Sequence, residues 1–181
     1  MVMSDQAPGD LELVRLFVNT LELPGGDDEL SSPAALQAWL EANALVRGGA
    51  ATSADLHAAR RLREAIRGLL LENNGMSTRK EAAVTLSRAA QRARIAVRFD
   101  PTGSARLEPV AGGVAGALGR LVAIVAAAMA DGTWSRLKAC RADDCGWAFY
   151  DSTRNRSRHW CSMAVCGNRT KARAYRRRHA V

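Results

Sequence analysis

Four cysteines near the C-terminus, Cys140, Cys145, Cys161 and Cys166, are the residues best suited to chemistry. They stand as C-x4-C, fifteen intervening residues, then C-x4-C, and no cysteine precedes Cys140. Two close pairs separated by a hairpin's length of chain suit a tetrahedral zinc site, because each tight turn aims two thiolates at one ion. Four thiolates fill the shell, so one structural Zn2+ is expected, since a catalytic ion keeps a position open. His159, two residues before Cys161, is the alternative ligand.

The segment around these cysteines must be shaped by the metal. A stretch of about 45 residues with few aliphatic side chains cannot hold a fold alone, and zinc supplies on the order of 10 kcal/mol or more in small modules. The linker predicts a hairpin, with Trp147–Tyr150 running out, a polar tip at Thr153–Ser157, and Arg158–Trp160 returning. Ser162 is placed to cap a helix that carries Cys166 on its first turns and continues to about Arg177. There the helix dipole favours a thiolate. Trp147, Phe149, Tyr150 and Trp160 supply a small aromatic core.

Charge divides the chain. The 181 residues carry a net +8, yet residues 1–133 sum to −1 and residues 134–181 to +9. The seam falls near Asp131-Gly132, giving a helical domain at 1–132, expected to fold alone, and a basic module at 133–181. An uncompensated excess of guanidinium groups points to a polyanion. The candidate contacts are Arg154, Arg156 and Arg158 on the hairpin, and Arg169, Lys171, Arg173, Arg176 and Arg177 on the last helix. A basic helix on a rigid zinc module suits the DNA major groove or backbone. The charge does not distinguish DNA from RNA, so an RNA-binding or ribosome-associated zinc protein is the alternative, with a protein-interaction module third.

The first 132 residues read as helices. Apolar spacing predicts helices over about Asp10–Leu21, Ser32–Asn43 with Pro33 at the first position, and Thr52 or Ser53 to Glu72. On the third, Arg60, Arg61, Arg63 and Arg67 are expected mostly to face outward, and Asn73-Asn74-Gly75 closes it. Thr78 with Glu81 resembles a capping box opening a fourth helix through Gln91. The period then drops to two at Ile95–Phe99 and Ala105–Val110, with Asp100-Pro101-Thr102-Gly103 between them, which predicts a hairpin. A last apolar helix spans Val114–Ala130. Its most apolar run, Leu121–Ala130, is too short to cross a bilayer and reads as buried.

Asn19-Thr20 lies in an apolar helix and must bond backbone, water or a ligand. It marks a candidate ligand pocket, expected between the first helix and Val114–Ala130. His57 reads as a surface histidine. No titratable constellation stands outside the metal shell, so an enzyme is not expected. The acidic, polar N-terminus lacks a secretory pattern, and a cytoplasmic location, with reduced thiols, is expected.

The stretch from Cys145 to Arg169, ending in Cys166-Gly167-Asn168-Arg169, closely resembles the CGNR zinc-finger family. Phe17-Val18-Asn19-Thr20 and Ala59-Arg60-Arg61-Leu62-Arg63 resemble the ABATE domain, described as a stress-induced transcription regulator. An Asp often precedes the first of these words in that family; here Leu16 stands there. The resemblance implies zinc on the four cysteines and DNA binding. It implies that Gly167 allows close packing near the metal and that Asn168 ties helix to hairpin. Arg169 becomes either a structural donor or a phosphate contact. The expected fold is mainly α: a helical N-terminal domain with a small β-hairpin, then a zinc-bound β-hairpin–helix module. DNA is the expected partner, with no membrane. A small-molecule effector and a homodimer stay open.

Overall fold

The computed structural model describes residues 6–23, 25–77 and 81–179. Among them are six α-helices and three two-stranded antiparallel sheets. Helix α1 (Leu11–Val18) leads to the short pair β1 (Leu21–Glu22) and β2 (Asp27–Asp28). Helices α2 (Pro33–Ala42), α3 (Ser53–Asn73) and α4 (Glu81–Ala93) follow. The hairpin β3 (Ile95–Phe99) and β4 (Ala105–Pro109) precedes α5 (Gly113–Asp131). The module after it holds β5 (Leu137–Ala139), β6 (Ala148–Tyr150) and α6 (Asn168–His179).

Local chemistry explains the starts and stops. Ser32 Oγ accepts from the Ala35 amide at 3.1 Å, and Pro33 follows at the first helical position, where its missing N–H is not needed. Thr52 and Asp55 cap α3 reciprocally: the Thr52 hydroxyl accepts from Asp55 N–H and the Asp55 carboxylate accepts from Thr52 N–H. The capping pair expected at Thr78 lies outside the described residues. Gly132 ends α5 with φ 80°, a left-handed conformation that glycine adopts without strain.

The core is built from Val14, Phe17, Val18, Leu36, Leu40, Leu62, Ile66, Leu70 and Leu121, all at most 1 % exposed. Helix α5 runs through it against α1, α4 and β4. Its length and mean hydropathy of 1.9 would suffice to cross a bilayer, but 61 % of it is buried inside the fold. The helices meet closely: a Cβ on Gly119 would stand 2.1 Å from the Ala93 Cβ.

The charge seam is not a seam in packing. Trp134, Leu137, Ala139 and Ala148 belong to the same buried cluster as α1, α3 and α5. The outward-facing reading of α3 is corrected for two residues, because Arg63 and Arg67 are 2 % and 4 % exposed. Arg63 makes a bidentate pair with Asp28, at 2.6 and 3.1 Å, and donates to Thr20 Oγ1. Arg67 donates to the Val18 carbonyl and approaches Glu64 at 3.4 Å. Burial opposes its charge and pushes its pKa down.

Candidate metal centre

Strand β5 pairs with β6, Leu137 opposite Tyr150 and Ala139 opposite Ala148. The return strand expected at Arg158–Trp160 is therefore corrected: β6 takes its partner from the chain before the first cysteine. Cys140 follows β5 directly and Cys145 lies just before β6, so the first pair forms the loop of this hairpin. The loop closes where Cys140 N–H donates to the Trp147 carbonyl at 2.9 Å. Gly146 adopts φ 58° there, and a Cβ on it would meet Leu23 at 2.7 Å and Arg67 at 3.2 Å. Glycine is required by this left-handed backbone, and a side chain there would have to push Leu23 and Arg67 aside.

The second pair is set by a wide helical turn, Met163–Gly167, in which Gly167 N–H reaches back five residues to Ser162 O. The Ser162 hydroxyl caps it, accepting from Val165 N–H. Gly167 packs under Met163, whose sulfur would lie 2.4 Å from an added Cβ. Cys166 ends up buried against Cys140 and Cys145, with Cys161 half-buried beside them.

All four sulfurs lie within 4.8 Å of one another, and the Cys145–Cys161 and Cys161–Cys166 separations are both 3.7 Å. Four sulfurs about 2.3 Å from zinc form a tetrahedron with edges of about 3.8 Å, so the donor set fits the ion. A disulfide needs about 2.05 Å, and all four cysteines are free thiols. The sulfurs hydrogen-bond to one another. Contacts with Cys145 and Cys161 pull the Cys140 thiol down to about 2, contact with Cys140 pushes Cys145 up to about 12, and contacts with Cys140 and Cys145 push Cys161 upward. Four thiolates cannot share this space without a cation, and a dication removes the conflict. The backbone amides of Ala142 and Cys161 favour the thiolate form of Cys140, and that of Trp147 favours the thiolate form of Cys145. His159 is not among the side chains whose ligand atoms converge on this site; its Nδ1 pairs with Asn74 Oδ1 at 2.9 Å.

The surrounding contacts assign several polar residues. Arg169 Nη2 lies 3.6 Å from Cys166 Sγ and 3.0 Å from Asp144, and Arg173 donates to Asp144 at 2.8 Å. Both arginines anchor α6 to the loop of the first cysteine pair, and Arg169 acts as a structural donor. Asn168 bonds Ala164 O within its own helical segment rather than tying helix to hairpin, which corrects that expectation. Arg158 donates to Cys161 O at 2.8 Å and stacks over Phe149, 4.7 Å from the ring centre. Of the eight basic candidates, Arg158, Arg169 and Arg173 thus have internal roles. Arg154, Arg156, Lys171, Arg176 and Arg177 are exposed, as is Arg178.

Two residues missed in the sequence hold the tip. Lys138 Nζ, at a position 3 % exposed, pairs with the fully buried Asp151 at 2.8 Å and donates to the Arg156 and Arg158 carbonyls. Asp151 also accepts from the Thr153 hydroxyl and from the Thr153 and Arg158 amides. Burial alone would raise its pKa; Lys138 and these donors bring it down to about 2. Breaking a buried pair leaves an uncompensated charge, so Asp151→Ala should cost about 3–5 kcal/mol in urea unfolding of the zinc-loaded protein. A cost below about 1 kcal/mol, the level of exposed pairs, would show that the tip holds itself.

Asn19 and Thr20 do not form a pocket. The Asn19 amide donates to Ala148 O at 2.9 Å and accepts from Ala148 N–H at 2.7 Å, as a neighbouring strand would. Thr20 donates to Phe17 O and accepts from Arg63. The pair is structural, and the expectation of a ligand there is corrected. A second asparagine does similar work: Asn74, 2 % exposed at the end of α3, donates to Ala139 O and His159 O. The Asn74 carbonyl accepts from Arg141 Nε, and Gly75 leaves room for that guanidinium.

Comparison with known families gives two matches. A model described as ABATE, "putative stress-induced transcription regulator", matches residues 11–132, and one described as the CGNR zinc finger matches residues 136–179. No curated protein matches this chain.

Proposed function

The chain belongs to the ABATE family and carries a CGNR zinc finger, and from that premise we propose that it is a DNA-binding transcription regulator whose zinc module contacts the duplex backbone. The carrying observation is the set of exposed cations that have no carboxylate partner among the described residues: Arg154, Arg156, whose side chain donates to the Ser135 hydroxyl, Lys171, Arg176, Arg177 and Arg178. Four thiolates around one dication leave two negative charges, which lowers the module's +9 to +7. Asp144 and Asp151 are both engaged internally, so the surplus stays on the surface. Phosphate oxygens are its natural partners. In this reading the module acts without catalysis, and the helical part positions it and serves regulation in the cytoplasm.

Six phosphate contacts would give a log–log salt slope of about −5. Removing Arg154 and Arg156 together should reduce its magnitude by about 2 and weaken all sequences alike. Binding to duplex DNA and to structured RNA should be compared at fixed salt, with DNA preferred. Unchanged DNA affinity in a zinc-loaded Arg154→Ala, Arg156→Ala, Arg176→Ala, Arg177→Ala variant would overturn the proposal, as would tighter binding to RNA.

A further inference from the structure

A cavity of about 250 Å³ opens where α3, α4 and α5 meet. Its walls include Ala58, Leu62, Ala89 and Leu118, and its rim carries Arg61 from α3 with Arg88 and Arg92 from α4. Arg88 and Arg92 stand four residues apart on one helix, a spacing at which like charges repel. Among the described residues, none of the three has a carboxylate partner. Several arginines of the same domain do: Arg15 pairs with Glu12, Arg63 with Asp28, Arg106 with Glu108 and Arg120 with Asp10. Asp55 also lines the cavity, but its carboxylate accepts from the Thr52 amide and hydroxyl to cap α3. Three arginines with no ion-pair partner among the described residues therefore line one concave, largely apolar site.

That combination selects a ligand class. Guanidinium forks bind carboxylates bidentately, and an apolar wall with a few convergent polar groups is the usual make-up of a small-molecule site. Inorganic phosphate would satisfy the rim and leave Leu62 and Leu118 uncovered; an uncharged hydrocarbon would do the reverse. The volume lies below the range of about 300–1,000 Å³ typical of drug-sized ligands, so the body is small. We propose that this cavity binds a small organic monocarboxylate, its apolar body against Leu62, Ala89 and Leu118 and its carboxylate on Arg61, Arg88 and Arg92. The site is independent of the DNA-binding reading.

The test is isothermal titration calorimetry on the full zinc-loaded chain with benzoate and hexanoate, against benzamide and inorganic phosphate. Saturable binding of at least one carboxylate is expected, with both controls weaker by about tenfold or more. Arg88→Gln with Arg92→Gln should weaken the carboxylate by about tenfold or more, and Arg61→Lys should retain more affinity than Arg61→Gln. These side chains are exposed, so the variants should keep the helical circular dichroism and zinc content of the parent. No saturable binding of either carboxylate at millimolar concentration would overturn the proposal. So would equal binding of benzamide, or unchanged affinity in the folded Arg88→Gln, Arg92→Gln variant.

Discussion

Chelation of zinc at neutral pH is expected to release one ion per chain and to unfold the cysteine loop, the tip and α6, while β6 stays packed on the helical core through Ala148. The local core there is small: the buried cysteines with Ala142 and Phe149, flanked by Trp147, Trp160 and Cys161. Helix α6 contributes no buried residue at all. Twelve residues of strongly polar helix are marginal in isolation, so α6 depends on the turn at Cys166 and on Arg169 and Arg173 reaching Asp144. Zinc binding in such modules carries about 10–16 kcal/mol, which is folding free energy when the site forms only in the folded state. Cys166→Ser should act in the same direction. Hydrogen exchange should show protection lost in α6 and the tip, with a shift in Trp147 and Trp160 fluorescence. Unchanged protection after complete zinc removal would show that the metal is not structural.

Ending the chain at Gly132 is expected to abolish cooperative folding of the remaining helical part. Residues 134–148 close the core as well as the metal loop. Leu137, Ala139 and Ala148 are fully buried, and Trp134 is 7 % exposed in the same cluster. Burying a leucine-sized side chain is worth about 1.5–3 kcal/mol, so losing these residues removes a large part of a total of about 5–15 kcal/mol. Asn19 would also lose Ala148, and Asn73 would lose the Trp134 and Leu137 carbonyls. Urea unfolding by circular dichroism should give a broad, shallow transition for residues 1–132. A transition as cooperative as that of the full chain would show that the core closes without β5 and β6. Asn19→Ala in the full chain tests the same junction at one point, with a loss of about 1–3 kcal/mol from the unpaired Ala148 backbone.

The sequence by itself determined the features that arise from near neighbours. Ser32-Pro33 and Thr52 mark helix starts because a cap needs only the next three residues. Ile95–Phe99 and Ala105–Pro109 form a hairpin because a period of two around a turn specifies its own partner. The cysteine spacing indicated a zinc site because each pair is brought together by its own turn. Only the tertiary structure decided what lies across longer separations. β6 takes its partner from Leu137–Ala139, Asn19 meets Ala148 from 129 residues away, and Asn74 meets His159 from 85. No periodicity records such pairings. Arginines show the same division: Arg61 and Arg63 stand two apart on α3, yet one rims an open cavity and the other is buried on Asp28. A guanidinium in a basic run has the same local sequence signal whether it faces water, a carboxylate or a carbonyl. Which of these it meets depends on the packing of distant segments.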